Sequence, residues 1–162
     1  MKKLGLNLHK PEKAYQGYTL ISPMEGTNTY LMDMQGRIVH RWDLPYRPGD
    51  YGYLLDNGHL LIAGRTEKGP VTIGGRSGII LELNWSGELV WEYEDPTLHH
   101  DFCRMSNGNT MVMGWELVPS EITAMVKGGQ PGTEPPEGLL SLIHISEPTR
   151  PRLISYAVFC LK

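Results

Sequence analysis

The sequence predicts an all-β chain that forms part of a β-propeller, and three observations carry that prediction. A self-similar unit of about 50 residues recurs: residues 33–42 (DMQGRIVHRW) match residues 84–93 (NWSGELVWEY) at an offset of 51, and residues 55–64 match 105–114 at an offset of 50. The units are built from short runs with apolar–polar alternation, the pattern of half-buried strands. Between the runs stand turn formers: Gln35-Gly36, Asn57-Gly58, Ser86-Gly87 and Asn107-Gly108. A repeat of this length with four short strands per unit is the signature of propeller blades.

Taken in order, residues 1–16 are a polar lead-in. They carry Lys2 and Lys3 but lack the apolar core of a signal peptide. Strands are predicted over residues 18–22 (YTLIS), 29–34 (TYLMDM) and 37–44 (RIVHRWDL). In the third, Ile38, His40 and Trp42 share one face, and Arg37, Val39 and Arg41 the other. Residues 45–50 form a Pro/Gly connector between blades.

A complete unit follows. Residues 51–55 and 59–63 form a hairpin on Asn57-Gly58, the dipeptide preferred by a type I′ turn with φ > 0 at both central positions. Residues 65–78 form a long loop ending in GGRSG. That ending lacks the Gly-Lys-Ser/Thr of a phosphate loop and precedes a strand, so a flexible loop is expected. Residues 79–84 (IILELN) and 88–94 (ELVWEYE) form a second hairpin, which Asp95-Pro96 ends. The third unit opens with residues 99–115 (HHDFCRMSNGNTMVMGW), a hairpin on Asn107-Gly108. Residues 117–139, rich in Gly and Pro, are expected to be a loop of that incomplete blade. The whole amounts to about two blades across residues 17–116. A propeller must close its ring, so a truncated propeller is expected.

Residues 140–162 (LSLIHISEPTRPRLISYAVFCLK) resemble translated sequencing-adapter DNA more than protein, and a non-native tail is expected there. The competing reading is an apolar strand pair, 142–145 with 154–161. Over the full chain the net charge is −3, with 15 basic and 18 acidic residues. Without Glu147, Arg150, Arg152 and Lys162 it becomes −5, from 12 basic and 17 acidic residues. Neither value has the basic bias of a nucleic-acid binder, so no nucleic-acid partner is expected. Cys103 is then the one cysteine left, and an internal disulfide is not expected. No stretch approaches the roughly 18 apolar residues of a membrane span.

The densest group of titratable side chains is His99, His100 and Asp101, at the entry of a blade's first strand, which in a propeller lines the central channel. The preceding unit has Gly49, Asp50 and Tyr51 there. A channel-mouth imidazole can serve as base, acid, nucleophile or anion binder. Asp101 could orient such a ring; the plainer alternative is that the triplet satisfies backbone groups at a blade junction. Neighbours on a strand face opposite ways, so His99 and His100 are not expected to share the channel, and His100 is the channel candidate. No Cys or further His stands at ligand spacing, so no metal is expected. Arg104, in the same strand, is read first as a salt bridge to a neighbouring blade and second as an anion binder. Asn107 and Asn109 flank Gly108 in the turn. Trp42, Trp91 and Tyr93 are expected to pack between blades, with His40 in the slot of Trp91.

The strings DMQGRIVHRW, ELNWSGELVWEYEDP and HHDFCRMSNGNTMVMGWE, over residues 17–116, resemble the bacterial arylsulfate sulfotransferase family. The resemblance implies a six-bladed propeller. It implies ping-pong transfer of a sulfuryl group between phenols through a channel histidine, with aryl sulfates and phenols as partners and no metal, nucleotide donor or other cofactor. It makes His100 a residue that helps hold the sulfuryl group, with His99 and Asp101 beside it and Arg104 and Asn109 on the substrate side. The family's nucleophilic histidine and binding arginine belong to later blades, so the chain alone is expected to be inactive. Two departures stand out. Family members are exported, whereas no export signal is visible here and the cytoplasm is the default. Their amino-terminal domain is also missing. The competing function is a non-catalytic or quinoprotein-like propeller module.

Overall fold

The computed structural model describes residues 6–68, 75–125 and 138–146. They form an all-β structure of three antiparallel meander sheets. The first sheet holds β1 (Thr19–Ile21), β2 (Asn28–Met32) and β3 (Ile38–Asp43) in that order. The second holds β4 (Pro48–Leu54), β5 (Leu60–Arg65), β6 (Gly78–Leu83) and β7 (Leu89–Glu94). The third is ordered β10-β9-β8, from β8 (Leu98–Arg104), β9 (Thr110–Val118) and β10 (Gly138–Ser146). A single helical turn, α1 (Ser120–Thr123), follows β9.

Period-2 alternation in the middle sheet explains the packing. Leu60, Ile62, Ile79, Leu81 and Leu83 pack with Leu31, Trp42 and Leu44 of the first sheet. The residues between them, Leu61, Ala63 and Ile80, pack with Leu98, Phe102 and Val112 of the third. The middle sheet is thus buried on both faces, which is why β5 and β6 read as continuous apolar runs. Each fully buried Leu or Ile contributes about 1.5–3 kcal/mol. Trp42 is 1% exposed and anchors the first interface, donating its indole N–H to the Asn84 carbonyl at 3.0 Å. His40 stacks on Trp85 with ring centroids 4.0 Å apart. Trp91 and Tyr93 pack against the second cluster.

All four tight turns close identically. In the turn at Leu55, Leu55 N–H donates to His59 and Gly58 N–H donates back to Leu55, both at 2.8 Å. The same two bonds recur from Asp33, Asn84 and Met105. Gly36, Gly58, Gly87 and Gly108 have φ of 76–89°, whereas neither Asn57 nor Asn107 has positive φ. The expected type I′ turns are therefore corrected. Each loop is a three-residue connection in which a β-turn is followed by a glycine in the left-handed region, the G1-bulge form. Asn57 and Asn107 serve by accepting the N–H two residues on, each at 3.0 Å.

Two boundaries move. β4 begins at Pro48, inside the expected connector. The loop expected over residues 117–139 starts late: β9 runs on to Val118, α1 follows, and β10 begins at Gly138. Gly128, Gly129, Pro131, Pro135 and Pro136 of that loop lie outside the described residues. β10 pairs with β9 from Gly138↔Val118 to Ser146↔Thr110, so residues 140–146 are in a strand. Residues 147–162 lie outside the described residues.

β4 and β8, the first strands of neighbouring sheets, stand beside each other. Tyr51 and Tyr53 hold their rings 5.4 and 5.7 Å from that of Phe102. The Arg104 N–H donates to the Tyr53 hydroxyl at 2.7 Å. Both strands carry the same bulge. β8 advances from Leu98 to Phe102 while β9 moves only from Gly114 to Val112. β4 repeats this between Pro48 and Gly52 against Gly64 and Ile62.

Candidate functional site

The bulge of β8 holds His99, His100 and Asp101, in the positions of Gly49, Asp50 and Tyr51 of β4. His100 has φ of 51°, and among the described residues it is the one non-glycine in the left-handed region. A histidine there costs about 1–3 kcal/mol, and such residues concentrate at functional sites. His99 is buried and His100 exposed, but the bulge departs from plain strand alternation by bringing the two rings into contact. Strand alternation fails where the backbone turns left-handed, and the Nδ1 atoms meet at 2.9 Å.

The two rings have different environments. His99 is 3% exposed and stacks on Trp115 with centroids 4.0 Å apart. Burial, then the charge of His100, pushes its pKa down to about 4; a bond to the Gly114 backbone works weakly against them. His99 is therefore neutral at pH 7. His100 is exposed. In the Nδ1–Nδ1 contact one ring donates and the other accepts, as the tautomers dictate.

The end of the glycine-rich loop forms the wall beside His100. Gly74 lies outside the described residues, but Gly75–Gly78 are placed. His100 N–H donates to the Gly75 carbonyl at 2.8 Å, and Ser77 N–H to the Leu98 carbonyl at 3.2 Å. Arg76 and His99 form a β-bridge. Gly75 has φ of 78°, and a Cβ there would lie 2.1–2.4 Å from the His100 ring. This segment was expected to be a flexible loop, and its last residues instead pair with β8. The signal for this contact was Gly75 itself, since only glycine admits both the left-handed backbone and the imidazole.

Asp101 is exposed and its carboxylate accepts its neighbour's N–H, that of Phe102, at 2.8 Å. It caps the bulge. Arg104 is used elsewhere: its Nη2 pairs with Glu82 at 2.8 Å and its guanidinium lies 4.6 Å over the Trp91 ring. Asn109 sits in the β8–β9 turn, its carbonyl accepting the Met105 N–H at 2.7 Å. The site thus brings His99 and His100 together and leaves Asp101, Arg104 and Asn109 out of the cluster.

Glu82 was not anticipated as a hub. Its side chain is 9% exposed, and it accepts from His59 through Oε1 and from Arg104 through Oε2, both at 2.8 Å. The signal was a lone carboxylate inside the apolar run IILEL, which burial obliges to find cationic or donor partners.

Among the described residues no group of three or more His, Cys, Asp or Glu side chains could hold a metal, and no helix is long and apolar enough to cross a membrane. No family model matches the chain, and no curated protein or solved structure matches it.

Proposed function

We propose that the chain is the amino-terminal part of a β-propeller that transfers sulfuryl groups between phenols, with His100 at the mouth of its channel. The fold supports this reading through its repetition. Three meander sheets stack face to face, and the first strands of the second and third, β4 and β8, are adjacent, an arrangement that radial repetition extends into a ring. The observation that carries the function is the His99–His100 pair, an exposed imidazole in a costly backbone conformation, held by a buried imidazole that stays neutral.

In this reading an aryl sulfate presents its sulfuryl oxygens to the exposed imidazole of His100. A nucleophilic imidazole from another blade attacks sulfur; the S–O bond breaks and phenolate leaves with its electron pair. The oxygen of a second phenol then attacks sulfur as its proton passes to the released phenolate through solvent, the new O–S bond forms, and the nitrogen–sulfur pair returns to the imidazole. The part of His100 is electrostatic: a donor directed at charge that grows on the sulfuryl oxygens. The test uses the reading frame continued past Leu139 in its source gene. The intact protein should move the sulfuryl group from 4-nitrophenyl sulfate to phenol, and His100→Ala should lower kcat/KM by about 100-fold. An intact protein without turnover, or a His100→Ala variant with full turnover, refutes the reading.

A second reading, a binding or scaffold propeller without catalysis, is favoured by Arg104. Its guanidinium is consumed by Glu82 and Trp91, so no free cation stands beside His100 in β8.

A further inference from the structure

A cleft of about 630 Å³ opens at the end of the second sheet, bounded by Thr27, Pro45 and Tyr46 on one side and by the ends of β5 and β6 on the other. Backbone pairing gathers cations around it. Arg65 N–H donates to the Arg47 carbonyl at 2.8 Å, and Thr66 N–H to the Ser77 carbonyl at 3.2 Å. These bonds set Arg47, Arg65 and Arg76 on three adjacent chain segments, and Lys68 completes the lining. The carboxylates of the lining are Glu67 and Glu94. With Glu25 beside Arg47 and Asp50 beside Arg65, four cations stand among four carboxylates, and Arg76 is the cation left without a carboxylate partner among the described residues.

The guanidinium groups are not saturated. Lys68 and Glu94 neutralise each other at 2.6 Å. Arg47 meets Glu25 only at 3.5 Å, with both side chains exposed, and such a pair contributes little. Arg65 meets Asp50 at 3.6 Å, beyond the 2.7–2.9 Å of a charge-assisted hydrogen bond. Arg76 reaches the Lys68 carbonyl through Nη2 at 3.3 Å and has no carboxylate partner among the described residues. The Nε atoms of Arg65 and Arg76 and the hydroxyl of Thr66 are buried without a hydrogen-bond partner. These three atoms are buried behind the cleft wall, the Thr66 hydroxyl against Gly78, so the groups open to the cleft are the guanidinium ends of its arginines. Guanidinium forks match the edge of a tetrahedral oxyanion in two parallel hydrogen bonds.

We propose that this cleft binds a tetrahedral oxyanion, sulfate or phosphate, through Arg65 and Arg76, with Arg47 at the rim. Pro45 and Tyr46 give it an apolar wall, so the oxyanion is accommodated free or as the ester of an aromatic group. The cleft is not lined by either histidine, although Arg76 is β-bridged to His99, and the proposal does not depend on sulfuryl transfer.

The test is calorimetric titration of the full chain with sodium sulfate, sodium phosphate and phenyl sulfate, at ionic strength held constant with sodium chloride. Saturable one-site binding is expected, with Kd at or below about 1 mM. Arg65→Gln with Arg76→Gln should weaken it at least tenfold. Arg47→Gln, at the exposed rim and harmless to the sheet, should weaken it about threefold by removing one screened cation. Arg41→Gln, whose side chain is paired with Asp43 on β3, should leave it unchanged. The anion that binds tighter identifies the source, and a preference for phenyl sulfate assigns the Tyr46 wall. Heats no larger than those of chloride, or equal affinity in the double variant, overturn the proposal.

Discussion

His99 and His100 are neighbours in one β-strand, yet their Nδ1 atoms lie 2.9 Å apart. A regular strand would place them on opposite faces. The left-handed backbone of His100 makes the contact, and the β8 bulge that contains it has a twin in β4. The twin carries Gly49, whose added Cβ would lie 2.7 Å from that of Ala63. One backbone device thus serves packing in the second sheet and a pair of imidazoles in the third.

The pair gives the fold a defined acid response. The His99 pKa is pushed from 6.5 to about 4 in the folded chain. Below pH 6.5 the unfolded chain takes up a proton that the folded chain refuses until about pH 4. The stabilisation is therefore complete above pH 6.5 and lost as pH falls from 6.5 to about 4. Its size is at most about 3 kcal/mol. His99→Phe keeps the stacking on Trp115 and removes the titration. The difference in Tm between the variant and the parent chain should shift by several degrees across this window and stay flat above pH 7. A pH-independent difference contradicts the buried, neutral His99.

Gly75→Ala separates backbone strain from the packing of His100. Gly75 and Gly87 have similar φ, 78° and 84°. A Cβ on Gly87 meets nothing within 4 Å, whereas one on Gly75 lies 2.1 Å from the His100 ring. Gly87→Ala should cost about 1 kcal/mol, the left-handed penalty alone. Gly75→Ala should cost about 2–4 kcal/mol by adding displacement of the imidazole. Denaturant unfolding of both variants measures the difference. Equal losses mean that the ring moves aside freely.

How much of this was legible in the sequence depends on the range of each contact. The offsets of 50 and 51 reported strand number and order, because each strand pairs with its chain neighbour and each turn carries its own glycine. Asn57-Gly58 marked a hairpin correctly but not its turn type, since the glycine fits both forms and the backbone chose the one in which Asn57 caps the loop. The His99–His100 contact was hidden, because no residue type announces a left-handed histidine. The salt bridge expected from Arg104 to the neighbouring unit is present, with Glu82 of the second sheet, whereas the identity of that partner and the Tyr53 contact depend on tertiary packing.

Glu82 is where the second and third sheets are joined by charge. Its side chain is 9% exposed, and removing it leaves the Arg104 guanidinium with only Trp91 and a Gly108 carbonyl at 3.4 Å. Glu82→Ala should destabilise the chain by about 2–4 kcal/mol, since the remaining partner is a half-buried uncompensated charge. Arg104→Met should cost less, and the double variant less than the sum of the two. A double-mutant cycle by chemical unfolding checks this, with a coupling of about 1–2 kcal/mol expected. Strict additivity contradicts the pairing.

The edge of the third sheet supplies the last prediction. β9 is hydrogen-bonded on one side to β8 and on the other to β10 over nine registered pairs. Truncation after Met125 removes β10 and exposes a row of unpaired N–H and C=O groups along Thr110–Val118. An open strand of this length templates pairing with another chain. Leu117 is already 68% exposed and adds an apolar side chain to that edge. The truncated chain should sediment as larger species than the full chain, increasingly so with concentration. Glu or Lys in place of Met111 and Met113, whose side chains are half-buried on β9, should reverse the effect by placing charge along the strand. Replacing residues 147–162 by an unrelated polar sequence should leave the full chain's sedimentation unchanged, because the pairing with β9 ends at Ser146. A truncated chain that sediments like the full one would show that β10 does not protect this edge.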